Sequence, residues 1–263
     1  MDQLLAKILG LSYELFGVFL PGLIALLFLI AWWAATGDLA SQWTFAAIPT
    51  LTIASVEKII TSLDSRLGIG VAIPSLIASY FLGNALVWAS RSGKPDPGAT
   101  RLYLTWMALT LKIPKPEYSY DQKLQPLMDA VIKRLGEASP LGWRLFYPVV
   151  KSYLSRNLAN SLVSTYQNKY TFHRSLVMAA AILFWLCSVT VIGGAITHYV
   201  NGAVPRWGWL GALTAASLFM VMGFSGSYRM HWVMFGDTII TEAYSLLCVT
   251  QVDKSSAGKP ADN

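Results

Sequence analysis

The run SLVMAAAILFWLCSVTVIGGAIT, residues 175–197, holds 23 residues without a formal charge. As a helix it rises about 1.5 Å per residue and reaches about 35 Å, enough to cross a hydrocarbon core of about 30 Å. Three further stretches have the same character: residues 15–35, 67–89 and 207–224. Only 13% of the 263 residues are charged and 54% are hydrophobic, where soluble domains carry about 25% charge. The expected class is an all-α polytopic membrane protein with four transmembrane helices and a helical module on the cytoplasmic side.

Two segments admit another reading. The first apolar run could be a cleaved signal peptide, which needs a basic start and a core of about 7–15 residues. The start MDQLLAKILGLSYE sets Lys7 against Asp2 and Glu14, and the core that follows is longer. A span is therefore expected. The second is WTFAAIPTLTIASVEKII, residues 43–60, whose uncharged part stops at 14 residues, before Glu57 and Lys58. It reads as an interfacial or re-entrant helix broken at Pro49, with a fifth span as the alternative.

Charge sets the orientation. Between Arg91 and Arg174 lie 13 of the chain's 20 Lys and Arg residues and five of its acids, a balance of +8. Basic flanks stay in the cytoplasm, and Arg91, Lys94, Lys169 and Arg174 stand at the two membrane ends of this stretch. Both termini and residues 91–174 are expected inside, with 36–66 and 199–206 outside. Trp32, Trp33, Tyr199, Trp207 and Trp209 would mark the outer interface. The bounds are 1–90 for a first hairpin with its outer segment, 91–174 for the basic module, 175–226 for a second hairpin, and 227–263 for a C-terminal helix and polar tail.

The module has internal order. GKPDPG, residues 93–98, is a turn cluster. From Tyr120, Leu124, Leu127, Met128, Val131, Ile132 and Leu135 follow helical spacing, with Asp121 as N-cap, Pro126 in the first turn and Gly136 as stop. A second helix is expected from Val149 through Tyr166 into the third span, its apolar side formed by Val150, Tyr153, Leu154, Leu158 and Leu162. Lys112, Lys115, Lys123, Lys133, Arg134, Arg144, Lys151, Arg156, Lys169 and Arg174 form the cytoplasmic basic surface. Its charge can serve topology and anionic lipid, or a cytoplasmic protein partner. No basic–aromatic platform points to nucleic acid.

Within the spans, Ser75, Ser79 and Gly83 recur every four residues and form a small-residue helix-packing seam with Asn84 beside it. The seam fits self-association or packing inside one subunit. Pro21, Gly22, Gly193, Gly194, Gly223 and Gly226 are candidate gate or hinge positions, the last two flanking the exit of the fourth span. His173 and His198 bracket the third span as interfacial residues. His231 and Asp237, six apart, point away from each other on one helix, and Arg229 and Asp237 are expected to pair with other segments. Cys187 and Cys248 read as small apolar residues. No nucleotide-binding, nucleophile-elbow or zinc-protease pattern occurs, so neither cofactor nor catalysis is expected.

Two motifs carry a resemblance. SYELFGVFLPGLIALL and YQNKYTFHRSLVMAA resemble the opening and the third-span junction of uncharacterised bacterial polytopic membrane proteins that often lie in antiphage defence loci. The resemblance implies an inner-membrane sensor or effector, homo-oligomeric and acting with a cytoplasmic partner. A channel or transporter component for a small solute and a passive anchor for a soluble enzyme are the competing expectations.

Overall fold

The structure, a computed structural model, describes residues 13–36, 68–90, 120–136, 142–158, 161–201 and 206–249. The segment 43–60, the turn cluster 93–98 and the polar tail lie outside these residues. Among the described residues every regular element is helical. A wide π-helical stretch, Tyr13–Phe19, leads into α1 (Leu20–Thr36), followed by α2 (Gly68–Ser90). A short 3-10 turn, Gln122–Leu124, leads into α3 (Gln125–Arg134), then α4 (Trp143–Asn157), α5 (Leu162–Asn201) and α6 (Trp207–Tyr244), which ends in a π-helical turn, Ser245–Val249.

Four helices are long and apolar enough to cross a membrane, within Glu14–Thr36, Ile73–Ser90, Leu162–Tyr199 and Trp207–Val249. They correspond to the four segments expected from the sequence. Their outward faces carry Leu27, Ile77, Phe81, Ile192, Phe219 and Met222, all exposed, which suits a lipid solvent. The chain divides into two compact units. One is built from described residues within Tyr13–Pro114 and Thr171–Ser227, the other from those within Lys115–Tyr170 and Tyr228–Asn263.

In the first unit, α1 and α2 lie against each other through glycine rather than through bulk. A Cβ on Gly22 would strike the Ser79 carbonyl oxygen, and one on Gly83 would strike the Val18 carbonyl oxygen. The backbones therefore meet directly, as small-residue seams allow in lipid. Pro21 fits the wide turn that precedes it: proline lacks an N–H and its ring crowds the carbonyl four residues back, so a regular α-turn cannot form there. Ala25, Leu86, Ala89, Met178 and Ala179 join α1, α2 and α5 in one cluster, while Ala180, Ala181 and Val221 join α5 to α6.

Several polar side chains inside these helices are satisfied locally. The hydroxyls of Ser79, Ser188, Thr190, Thr197, Thr214 and Ser217 donate to carbonyls of their own helix at 2.7–2.8 Å. Asn84 does the same, donating to the Tyr80 carbonyl at 3.0 Å. Across helices, Trp32 Nε1 donates to the buried Thr190 Oγ1 at 2.9 Å. At the far end of α1, Arg206 Nη1 reaches the Ala34 carbonyl at 3.4 Å, where a cation suits a helix C-terminus.

One expectation is corrected. The helix expected to run from Val149 into the third span is two helices, interrupted between Asn157 and Leu162. At the candidate hinge positions Gly223 and Gly226, α6 continues as helix. Likewise α5 continues through Gly193 and Gly194. A glycine weakens a helix by about 1 kcal/mol without breaking it, and apolar surroundings favour internal backbone bonds.

The glycines separate in their tolerance. Gly83→Ala should destabilise the first unit by about 1–3 kcal/mol through overpacking. Gly223→Ala, with nothing within 4 Å of the added carbon, should be neutral or stabilising by up to about 1 kcal/mol. Thermal unfolding of the purified protein in lipid nanodiscs checks both.

Candidate functional site

The second unit is a helical module with a true core. Met128, Val131 and Ile132 of α3, Phe146, Val150 and Leu154 of α4, Val163 and Tyr170 of α5, and Phe235, Ile239, Ile240 and Ala243 of α6 are all buried. The α3 spacing read from the sequence holds: its buried residues are three of those expected, and Leu124, Leu127 and Leu135 pack at the edge. An aromatic chain runs through the core. Tyr147 meets Phe235 at 5.6 Å, and Phe235 meets Tyr170 at 5.0 Å. Trp143 lies 5.2 Å from Tyr120 and 5.9 Å from Phe146. Edge and tilted ring pairs of this kind add about 0.5–1.5 kcal/mol each beyond burial.

The module's helix starts are capped from a distance. Asp121 caps the 3-10 turn, taking the Lys123 N–H on Oδ1 at 3.0 Å. The Asp121 N–H in turn donates to Asp237 Oδ1 of α6 at 2.6 Å. This is the reciprocal logic of a capping box, with its second acid supplied by another helix. The start of α5 repeats it. Ser161 Oγ accepts from the Val163 N–H at 3.1 Å and donates to Glu242 Oε2 at 2.5 Å. Glu242 Oε1 accepts the Leu162 N–H at 2.8 Å. A carboxylate also suits the positive end of the helix. Both acids of α6 beyond its uncharged stretch are thus engaged with backbone N–H groups of other helices. Ser161 ahead of an apolar run is a sequence signal for a helix start, and it could have located the break before Leu162. Glu242, 81 residues away, carried no such signal.

Electrostatics differ across these groups. Burial pushes the Asp237 carboxyl above its ordinary range. The Asp121 N–H counteracts this, and the Asp121 charge adds to the rise. Burial lowers Lys151, whose Nζ sits 3.3 Å from the Tyr147 hydroxyl and 5.6 Å over that ring's centroid.

The basic residues are spread over the module and its exit. Lys123, Lys133, Arg134, Arg156 and Lys169 are exposed, and Lys151 and Arg174 are half-buried. Arg144 lies on α4, whereas Lys112 and Lys115 lie outside the described residues. In the first unit Ser79 and Gly83 are buried against α1, Ser75 is half-buried and Asn84 is exposed. Pro21 and Gly22 are buried on the same seam. The seam therefore serves packing within one chain. A cavity of about 30 Å³ at the meeting of α1, α2 and α5 is lined only by apolar side chains, among them Phe28, Leu82, Ala179 and Leu186. Among the described residues no three His, Cys, Asp or Glu side chains come together as metal ligands would.

The caps carry two tests. Glu242→Ala should cost about 1–2 kcal/mol, the usual range for losing a cap. Adding Ser161→Ala should cost less than the two separate losses together, because the groups share one network. Asp237→Asn keeps an oxygen for the Asp121 N–H and removes a charge that burial disfavours. The folded module holds the Asp237 proton more tightly than the unfolded chain does, so ionisation subtracts stability as pH rises through the raised value. Asp237→Asn should therefore raise the melting temperature at neutral pH, and the gap should close below about pH 4.

Comparison with protein-family models, with curated proteins and with solved structures gives no match to this chain.

Proposed function

We propose that this chain is a multi-pass protein of a bacterial inner membrane. Both termini and the helical module face the cytoplasm, and it works as an oligomeric sensor or effector of membrane perturbation in antiphage defence. A cytoplasmic protein that binds the module is the input. The observation that carries this reading is the continuity of two helices. α5 has 40 residues and α6 has 38, about 60 Å each at about 1.5 Å per residue. Each begins or ends in the module's core and also supplies a span, with no loop between to absorb a displacement. A partner can shift such an element only by binding its two states with different affinity.

The outer face of α6 supports self-association. Its most apolar stretch is 17% buried, against 50% for α5. Gly208, Gly211, Gly223 and Gly226 all have open space at the Cβ position. In lipid, such faces let helices of separate copies approach. The interior where α1, α2 and α5 meet is apolar, so a water path would run between copies and not through one.

Proteoliposomes filled with a self-quenching dye report leakage when a candidate partner is added. A Gly-Ser insertion after Ser225 should abolish triggered leakage while the protein remains inserted and its module folded. Leakage unchanged by the insertion would remove the mechanical reading. No leakage under any partner or lipid condition would favour the passive anchor.

A further inference from the structure

The outward side of α4 is apolar where a water-facing helix would be polar. Leu145 and Val149 are 63% and 53% exposed, and Pro148 is exposed between them. Spacings of three and four put these residues on one side of the helix. The other side is buried through Phe146, Val150 and Leu154. α4 also carries Arg144, Lys151 and Arg156 and no acid. An exposed apolar stripe accompanied only by cations is the pattern of helices that lie in an anionic bilayer surface.

We propose that the Leu145, Pro148 and Val149 face of α4 docks into the head-group layer of an anionic bilayer, with Arg156, exposed on a helix that carries no acid, supplying attraction. The proposal rests on the reading that the module faces the anionic cytoplasmic leaflet. Because α5 ties the module to its own bilayer, this docking is intramolecular and needs little affinity per residue. Lys and Arg near such a surface each contribute about 1 kcal/mol. A partner competing for α4, or a change in lipid charge, would free this face and move the module on its two long helices.

The test uses the full chain, one copy per nanodisc, with Cys187→Ala and Cys248→Ala and an environment-sensitive fluorophore on Val149→Cys. A second label on Asp129→Cys, exposed on α3, is the control. The discs are phosphatidylcholine alone or mixed with an equal part of phosphatidylglycerol, with or without head-group nitroxide lipid. The expected result is a blue shift and several-fold stronger quenching at 149 than at 129 in the anionic discs, reduced in neutral discs and by added salt. Equal quenching at the two positions, or no dependence on lipid charge, would overturn the proposal. So would a blue shift at 149 that appears only with two copies per disc, since a second copy would then be the occupant. If the cysteine variants do not fold, amide exchange on the unmodified protein decides. Slower exchange of residues 143–157 in anionic than in neutral discs is expected, and identical exchange overturns the proposal. Sidedness of the 129 label in cells tests the cytoplasmic reading separately, since nanodiscs expose both bilayer faces.

Discussion

Hydrocarbon offers no hydrogen-bond partner, and the first unit is arranged around that constraint. Each of its described elements is helical, so backbone groups pair within the segment that carries them. Six of its serines and threonines repeat the solution on a smaller scale, bonding back to their own helix. The Thr190 hydroxyl also accepts across helices, from the indole of Trp32. With no hydrophobic gain available between helices in lipid, close contact must come from shape. Gly22 and Gly83 supply it by letting two backbones touch, and Pro21 is accommodated by the wide turn ahead of it.

The second unit has a buried apolar core of its own, and the balance reverses. There the apolar faces of four helices can be driven together, and an aromatic chain from Tyr120 to Trp232 fills the middle. Helix ends become the problem, because their first N–H groups have no partner within the helix. α6 answers it twice. Asp237 takes the N–H of Asp121 and Glu242 takes the N–H of Leu162. The two acids thereby hold the beginnings of α3 and α5 to one helix. Asp237 does so at an electrostatic cost, since its charge is partly desolvated beside Asp121.

α5 and α6 each join an apolar, nearly charge-free stretch to a capped and charged one, with no break where the character changes. The glycines at 193, 194, 223 and 226 stand in these helices and do not interrupt them. Gly194 is buried on α5, whereas Gly223 and Gly226 are exposed on α6.

Much of this was legible from residue order alone. Uncharged length identifies four spans, because lipid tolerates few charges over about 20 residues whatever the neighbours are. The α3 face was legible too, since Leu124 to Leu135 repeat with helical period, and Asp121 and Gly136 mark its ends. Local chemistry suffices for such features. Ser161 marks the break before Leu162 locally, but the engagement of Glu242 with Ser161 and the pairing of Asp237 with Asp121 were not legible. Each joins residues roughly 80 to 116 positions apart, and no local pattern encodes the partner. The use of Gly83 follows the same rule. A small residue permits close approach, but only packing decides that Val18 and Gly22 of the same chain fill the space. Sequence by itself determined which stretches lipid can solvate, because that depends on side-chain charge and length. Tertiary structure decided which helix ends and glycines meet, because those contacts depend on where distant backbone groups arrive in space.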